Sequence, residues 1–328
     1  MPGFHHSALF DAHGSDEAHD PAVAVSVRDL IEMAASAGIL QPLRTVSARA
    51  RRAGGHLSRA RGRGMDYQES RAYQAGDDIR AMDWRITARA VEPHTKVFHE
   101  ERERPVILAV DLGPGMFFAT RGALKSVQAA RTAAMFGWAA VSHGDRVGAL
   151  LFNGDHRELQ PRGGRAGILA VIRELVARSD ARAALAAPAV SNGLNAALLR
   201  LRRLVRPGSL VILISDFYGL QEESLAHLSY LRRHSDLLAV RVLDPLERIA
   251  PPAGQYALSD GRERYHLDAT SDKERALYQD LLLAQHVAVQ DILQRCGVPL
   301  LELTTDENVG EAMALQLHSG TCARRQIA

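Results

Sequence analysis

From residue 105 onward, short apolar runs alternate with helical stretches, and this alternation constrains the fold more than any other feature of the chain. The apolar runs are VILAV at 106–110, RVGALLF at 146–152, SLVILI at 209–214, LLAVRVL at 237–243 and VPLLEL at 298–303. Helical periodicity follows them, at about 122–142, 165–178, 193–205, 221–233 and 272–296. Continuously hydrophobic strands joined by helices form parallel sheets that are buried on both faces. The sequence therefore predicts an α/β fold with a mostly parallel sheet, and the Asn-Gly turn in FNGDHREL adds one antiparallel edge strand.

Composition sets the broad class of protein. A chain of 328 residues fits one or two domains, and its net charge of +2 gives no general affinity for polyanions. The two cysteines, Cys296 and Cys322, have no CxxC spacing, so we expect reduced thiols. The first residues lack the pattern of a secretory signal, and no apolar run approaches the ~20 residues that span a bilayer. We therefore expect a cytoplasmic protein.

The N-terminal third is more polar than the rest. We divide the chain into a flexible tail at 1–25, an N-terminal region at 26–104 and the α/β domain at 105–328. Ser26 and Ser271 are each followed three residues later by an acidic residue, the spacing of a capping box, so helices should begin at both.

Arginines are concentrated between residues 44 and 63, where no acidic residue occurs. They are Arg44, Arg49, Arg51, Arg52, Arg59, Arg61 and Arg63. Such a segment is either a solvated stretch or a contact surface for an acidic protein or for RNA. The chain shows no RNA-binding signature, so we do not expect nucleic acid to be the partner.

Two of the predicted strands end in an aspartate. VILAV runs into Asp111 and VILIS runs into Asp216. The carboxyl ends of parallel strands meet at one edge of the sheet, where open α/β sheets bind their ligands. Two carboxylates that converge there repel each other unless a cation separates them or one is protonated. A hard ion such as Mg²⁺ is the natural candidate for that cation.

At this point the sequence resembles a known family. DLGPG after one strand, SNGLNAAL at a helix start and ISDF after another strand are similar to a von Willebrand factor A domain, which has a Rossmann-type fold. The block YQAGDDIRAMDWRITARA at 73–90, followed by VFHEERERPVILAVD, resembles the signature of the domain-of-unknown-function 58 proteins. The resemblance covers about residues 60–320. It implies a bacterial protein that accompanies a MoxR-type AAA+ ATPase in assembling or maturing other protein complexes.

The resemblance also implies where a metal would bind. The metal-ion-dependent adhesion site of such domains uses Asp-x-Ser-x-Ser, a Thr from a later loop and an Asp after the fourth strand. Asp111 and Asp216 match the acidic positions, whereas Gly113 and Gly115 stand at the serine positions and Asn192 at or near the threonine. Losing two hydroxyl ligands should weaken Mg²⁺ binding by ~10²-fold or more. We therefore expect no resident cofactor, with Asp111 and Asp216 as the remnant of a metal site.

Without a metal, other groups must stabilise the two carboxylates. Backbone N–H groups of the Gly-Pro-Gly turn, the side chains of Ser215 and Asn192, or an arginine from residues 60–104 could each do so.

The block before the first core strand contains three acids, Asp77, Asp78 and Asp83, with arginines such as Arg80 between them. This interleaving favours neutralised side chains over a pair of catalytic carboxylates with separated pKa values. We expect Trp84 to anchor the block by its apolar area, and Asp77, Asp78 and Arg80 to be available to a partner.

Together these features predict a non-enzymatic adaptor or scaffold that works with a MoxR-type AAA+ ATPase. Its partner-binding face would be the sheet edge around Asp111, Gly113, Asn192 and Asp216. Two alternatives stay open at this level. One is a metal-dependent hydrolase or phosphoesterase that uses Asp111 and Asp216. The other is an RNA-associated protein that uses the arginines of 44–63.

Overall fold

A computed structural model gives the fold. It describes residues 20–40, 65–74, 79, 82–90, 92–100, 103–153, 155–179, 193–259 and 264–318. The strands are β1 (Met65–Ala72), β2 (His94–Glu100), β3 (Pro105–Asp111), β4 (Arg146–Phe152), β5 (His156–Gly163), β6 (Leu210–Ser215), β7 (Asp236–Leu243), β8 (Gln255–Ser259), β9 (Arg264–Asp268) and β10 (Leu300–Thr304). The helices are α1 (Val27–Glu32), α2 (Ala34–Ala37), α3 (Trp84–Thr87), α4 (Lys125–Ser142), α5 (Gly164–Arg178), α6 (Gly193–Leu204), α7 (Ser224–His234), α8 (Asp272–Arg295) and α9 (Val309–His318).

Six strands form the central sheet, in the order β10-β7-β6-β3-β4-β5. Every neighbouring pair is parallel except β4 and β5, which form the antiparallel edge. This confirms the predicted α/β class, the mostly parallel sheet and its antiparallel edge strand. The order reverses at β3, because the chain next builds β4 on one side of it and later β6 on the other. A crevice forms at such a switch point, at the carboxyl ends of the strands.

Side chains of the central strands alternate between two apolar cores. In β3, Val106, Leu108 and Val110 face one core, and Ile107 and Ala109 face the other. Helices α1, α2, α4, α5 and α9 cover the first face, and α6, α7 and α8 cover the second. Because both faces are covered, the strands can be hydrophobic at every position, which is why they read as unbroken apolar runs.

Helix α4 is buried on nearly all sides because the N-terminal helices cover the side that faces away from the sheet. Trp138 donates from Nε1 to the carbonyl of Leu30 at 3.0 Å, and Leu30 itself is fully buried. Ser26 and Asp29 form the predicted capping box at the start of α1. Residues 20–25 pack against the same layer, since Leu124 N donates to Ala22 O.

The structure departs from the sequence interpretation in several places. Ser271 is the N-cap of α8, but its side chain makes no capping hydrogen bond. Trp84 is 65% exposed, so the expectation that it anchors its block by burial is wrong. The buried residue of that block is Asp83. Its carboxylate accepts hydrogen bonds from Ser70 Oγ and from N–H groups in the first turn of α3. The pairs β1–β2 and β8–β9 and the helix α9 have no counterpart in the predicted elements.

Several predicted features fall outside the described residues. They are most of the tail at 1–25, the arginine-rich stretch at 44–63, Asp77, Asp78, Arg80, Asn192 and Cys322. In the part of the chain that the structure describes, no helix is both long enough and apolar enough to cross a membrane.

Candidate functional site

A cleft of about 200 Å³ opens at the carboxyl ends of β3 and β6, where the strand order reverses. Asp111 and Asp216 both line it, so the structure brings the two predicted carboxylates to one site. The walls are the turn after β3, the end of β4 and the start of α6. The side chains and backbone that line it include Gly113, Gly115, Met116, Phe152, Leu194 and Tyr218.

Asp111 ends β3 and is held by two hydrogen bonds. Ser215 Oγ donates to its Oδ2 at 2.6 Å, and the backbone N–H of Gly113 donates to its Oδ1 at 2.9 Å. Both were among the donors expected from the sequence. Ser215 itself accepts from the N–H of Phe217, so the hydroxyl links the ends of the two strands.

Asp216 is nearly buried and is paired with a lysine. Lys125 Nζ lies 3.0 Å from Asp216 Oδ2 and 2.7 Å from Glu247 Oε1, and the lysine side chain is only 1% exposed. The second oxygen of Asp216 accepts from the N–H of Tyr218. The cation that sequence analysis sought among the arginines of 60–104 is thus supplied to Asp216 by the first residue of α4.

Arg241 contributes a second buried cation beneath the cleft. Arg241 is a residue of β7, and its Nε donates to the backbone carbonyl of Asp216 at 3.2 Å. Burial lowers the pKa of Arg241, although an arginine stays protonated throughout the physiological range.

The glycines of the turn lie directly against the carboxylates. A Cβ atom added at Gly113 would lie 3.1 Å from Asp111 Oδ1, and one added at Gly115 would lie 3.2 Å from Asp216 Oδ2. Side chains at these two positions would therefore point at the two acids. With glycine there, the carboxylates meet backbone and open cleft instead.

The loops around the cleft are fixed by Asp244, at the end of β7. Its buried carboxylate accepts from Thr120 N, Thr120 Oγ1, Leu246 N and Thr305 Oγ1, at 2.6–2.9 Å. The same residue forms a capping box with Glu247, whose carboxylate binds Lys125. Asp244 therefore holds the loop that leads into α4 and orients one partner of the lysine.

The backbone is strained beside Asp216. Phe217 is fully buried and has φ of 60°, a left-handed conformation that bulky residues rarely adopt. Such a conformation costs on the order of 1–3 kcal/mol and persists only where the surroundings enforce it. Here the hydrogen bond from Phe217 N to Ser215 Oγ and the burial of the ring enforce it.

The two aspartates differ in their electrostatic state. Burial, together with the negative charge of Asp216, raises the pKa of Asp111 to about 7. Burial disfavours the charged form of Lys125, but attraction from Asp216 and Glu247 outweighs this and raises its pKa. Burial also raises the pKa of Tyr218, on the cleft wall, to about 12. Near neutral pH the cleft therefore holds a titrating carboxyl at Asp111, beside the contact between Lys125 and Asp216.

These donors do not fit a magnesium ion. Mg²⁺ needs six oxygens in near-octahedral geometry, and positions 113 and 115 provide no hydroxyl. The Lys125 ammonium, 3.0 Å from Asp216 Oδ2, already binds a carboxylate oxygen that a divalent ion would need, and its positive charge would repel that ion. Within the described ranges, no three His, Cys, Asp or Glu side chains gather as a metal site.

Lys125, whose ammonium binds both Asp216 and Glu247, is not among the site residues predicted from the sequence. One signal was available: only three of the 40 basic residues are lysines, Lys96, Lys125 and Lys273. A compact ammonium fits between two carboxylates in a closed space, whereas a planar guanidinium needs more room. In a chain that uses arginine almost everywhere, a lysine in an apolar helix therefore indicates a special environment.

Comparison with known proteins gives a family but no activity. Uncharacterized protein Rv1480 of Mycobacterium tuberculosis is 33% identical over 259 residues, 78% of this chain and 79% of that protein. Uncharacterized protein Mb1516 of Mycobacterium bovis matches over the same length with the same identity.

Two solved structures match this chain at low similarity. The conserved hypothetical protein BatB from Bacteroides thetaiotaomicron is 13% identical, with a TM-score of 0.41 over 67% of this chain and 100% of that chain. An aerotolerance-related membrane protein from Bacteroides fragilis is 14% identical, with a TM-score of 0.34 over 58% of this chain and 99% of that chain.

The family described as protein of unknown function DUF58 matches residues 69–288, which include β3, β6, Lys125 and the cleft. This span is about two thirds of the chain. The chain belongs to the DUF58 family.

Proposed function

We propose that this chain is a non-enzymatic, protein-binding adaptor that acts with a MoxR-type AAA+ ATPase. In this proposal residues 105–328 form a von Willebrand A-like domain, and the cleft around Asp111, Gly113 and Asp216 is its partner-binding face. Its metal-ion-dependent adhesion site has been replaced by an internal ion pair. The proposal places the protein in the cytoplasm, where ATP is available to the ATPase.

One observation carries the proposal: Lys125 Nζ lies 3.0 Å from Asp216 Oδ2 and is closed off from solvent. In a conventional adhesion site, a bound metal neutralises the acidic cluster and a carboxylate of the partner completes its coordination shell. Here the cation is part of the chain, so the charge of Asp216 is compensated without a metal. Binding at this cleft should then be independent of divalent ions.

The donors of the cleft also do not suit metal-dependent catalysis. Asp216 is occupied by the lysine, and Asp111 is bound by Ser215 and a backbone N–H. A metal-dependent phosphoesterase needs a metal to polarise the phosphoryl oxygen, and the donors here do not fit that metal. Apolar walls at Met116, Phe152 and Leu194 suit the burial of a partner's side chain.

The test is a binding measurement with the full chain and the purified MoxR-type ATPase of the same organism. Biolayer interferometry should give the same affinity in EDTA and in excess Mg²⁺, with ATP omitted so that the nucleotide does not couple to the metal. Tyr218→Ala removes a cleft side chain that is 47% exposed, and it should weaken binding about tenfold, the loss typical of an interface anchor.

Leu283→Ala is the matched control, because Leu283 is similarly exposed but lies on α8 rather than in the cleft. It should leave the affinity unchanged. Loss of binding in EDTA would overturn the metal-free site. Failure of the ATPase to bind at all would overturn the partner assignment.

A further inference from the structure

Positive charge is concentrated on the helical layer formed by α6 and α7. Residues 193–206 and 224–236 contain a single acidic residue, Asp236, among six arginines: Arg200, Arg202, Arg203, Arg206, Arg232 and Arg233. The two helices pack against each other, and Arg203, Arg206 and Arg233 all lie near the same end of this layer. The chain as a whole has a net charge of only +2, which makes this local excess a distinct feature.

Three of the six arginines already interact with other side chains of the fold. Arg200 pairs with Glu158 at 3.0 Å, and Arg232 lies 3.5 Å from Asp236. The guanidinium of Arg202 lies 4.2 Å from the centre of the Tyr230 ring.

The other three are exposed and available. In the described part of the chain, Arg203, Arg206 and Arg233 form no ion pair and no hydrogen bond through their side chains, and His234 beside them is also exposed. We call Arg203, Arg206, Arg233 and His234 the basic face. The negative end of a helix dipole favours a cation in the last turn, but this weak effect does not require three guanidiniums without a partner.

The basic face lies at the opposite end of the sheet from the cleft. Helix α6 begins at Gly193, on the cleft wall, and ends next to the start of β6. The N–H of Gly208 donates to the carbonyl of His234, which joins the ends of α6 and α7 at that point. The six residues of β6 separate the two ends of the sheet by roughly 17 Å.

We propose that the basic face is a second docking surface, which binds an acidic segment of a partner protein. Guanidinium groups form bidentate, charge-assisted hydrogen bonds with carboxylates. Three guanidiniums near the ends of two adjacent helices present this chemistry, and the one acid of these two segments, Asp236, is already paired with Arg232 and Arg104. Glutamate- or aspartate-rich peptide is the ligand class that matches their charge and geometry.

The aromatic environment favours an acidic protein over nucleic acid. Binding of single-stranded nucleic acid generally adds stacking of bases on exposed aromatic rings. Tyr230 is the aromatic residue of this surface, and its ring already contacts Arg202 and the His234 ring, whose centre lies 4.9 Å away. Among the described residues of these two helices, the face therefore offers charge but no aromatic ring that is free for stacking.

This second surface does not depend on the cleft or on the identity of the ATPase. A protein with one docking site at each end of its sheet can hold two partners at once. Binding at the basic face can therefore be measured independently of binding at the cleft.

Fluorescence anisotropy with the full chain tests the proposal. The probe is a labelled peptide of about 20 residues that alternates glutamate with alanine, and the reference is the same peptide with glutamine in place of glutamate. The glutamate peptide should bind and the glutamine peptide should not. Its affinity should fall as salt is raised from about 50 to about 300 mM, because screening weakens exposed ion pairs.

Charge reversal identifies the surface. A triple variant should weaken peptide binding at least about tenfold, since like charges then face the ligand. It combines Arg203→Glu, Arg206→Glu and Arg233→Glu. The matched control reverses three other exposed arginines, Arg121, Arg162 and Arg173, and changes the total charge equally. It should alter the affinity less than about twofold if the effect is local. Should the reversed variant fail to fold, glutamine substitutions at the same three positions give the same comparison.

Three results would overturn the proposal. The first is no binding of the glutamate peptide, and the second is an equal loss in the test and control variants. The third is tighter binding of a single-stranded RNA or of vesicles with anionic lipid through the same three arginines, which would assign the face to a different class of partner.

Discussion

Lys125 Nζ lies 3.0 Å from Asp216 Oδ2, so a side chain from the first turn of α4 neutralises an acid at the end of β6. The two residues are 91 positions apart in the sequence and are brought together by the parallel order of β3 and β6. Because the cation is covalently part of the chain, it cannot be removed by chelation. The cleft thus has a fixed charge distribution that depends only on folding and pH.

Lys125→Met should destabilise the fold strongly. It leaves Asp216 and Glu247 buried without their cation, and breaking one side of a buried ion pair typically costs about 3–5 kcal/mol. Urea unfolding at neutral pH measures this loss directly. Lys273→Met, at an exposed position of α8, is the control and should change the free energy of unfolding by less than about 0.5 kcal/mol.

A double variant separates charge from packing. Adding Asp216→Asn to Lys125→Met removes part of the uncompensated charge and should recover a share of the lost stability. The loss in the free energy of unfolding of the double variant is then compared with the sum of the losses of the two single variants. If the loss of the double variant is larger than that sum, the ion pair is not the reason for the effect.

Three substitutions should create a metal site in the cleft. Gly113→Ser and Gly115→Ser place hydroxyls beside Asp111 and Asp216, and Lys125→Met removes the competing cation. The triple variant should be stabilised by Mg²⁺ or Mn²⁺, by about 1.4 kcal/mol when the ion is at ten times its Kd. The natural chain should show no such dependence of its thermal midpoint on divalent ions.

The matched control has alanine instead of serine at both glycine positions. It adds the same Cβ atoms and removes the same lysine but provides no hydroxyl. If divalent ions stabilise the alanine variant as much as the serine variant, the two carboxylates bind the ion without added hydroxyls. The glycines would then not be the reason that the natural chain binds no metal.

The sequence predicted the sheet well because its signal is local. The run at 146–152 is reproduced as β4 at Arg146–Phe152, and 106–110 extends by one residue at each end to β3. Unbroken apolar runs report burial on both faces, which is the condition of the central strands. The shared edge of Asp111 and Asp216 follows from the same parallel order.

The missed features are those that depend on contacts distant in the chain. The pairing of β1 with β2 joins segments whose strands carry mixed polar residues, without the alternation that marks a half-buried strand. The partnership of Lys125 with Glu247 spans 122 positions, and nothing near either residue indicates the other. The predicted burial of Trp84 was wrong because large apolar side chains are buried only on average, and this one is exposed.

Asp244→Ala should be among the most damaging single substitutions near the cleft. It removes the acceptor for two backbone N–H groups and two threonine hydroxyls, in a residue with no solvent exposure. Each buried donor left without a partner costs about 1–3 kcal/mol. Urea unfolding should show a loss of several kcal/mol, whereas Thr305→Val, which removes one of the four donors, should lose about 1–2 kcal/mol. Equal losses would argue against Asp244 as the hub of these loops.

Asp111 should make the stability of the protein fall as pH rises. Burial and the charge of Asp216 raise its pKa from 3.8 to about 7 in the folded state. Between these values the folded protein holds a proton that the unfolded chain has released, so raising the pH favours unfolding, by up to about 1.4 kcal/mol per pH unit. Below both values the effect vanishes, and above about pH 7 the penalty is constant.

Asp111→Asn tests this sign, because asparagine resembles the neutral acid and does not titrate. Relative to the natural chain, the variant should gain stability progressively as the pH is raised from about 4 to about 7. Asp280→Asn, at an exposed carboxylate of α8, is the control and should show no comparable trend. If the stability difference for Asp111→Asn is flat across this range, the carboxyl titrates at its ordinary value. The cleft would then carry a fully ionised Asp111 at neutral pH.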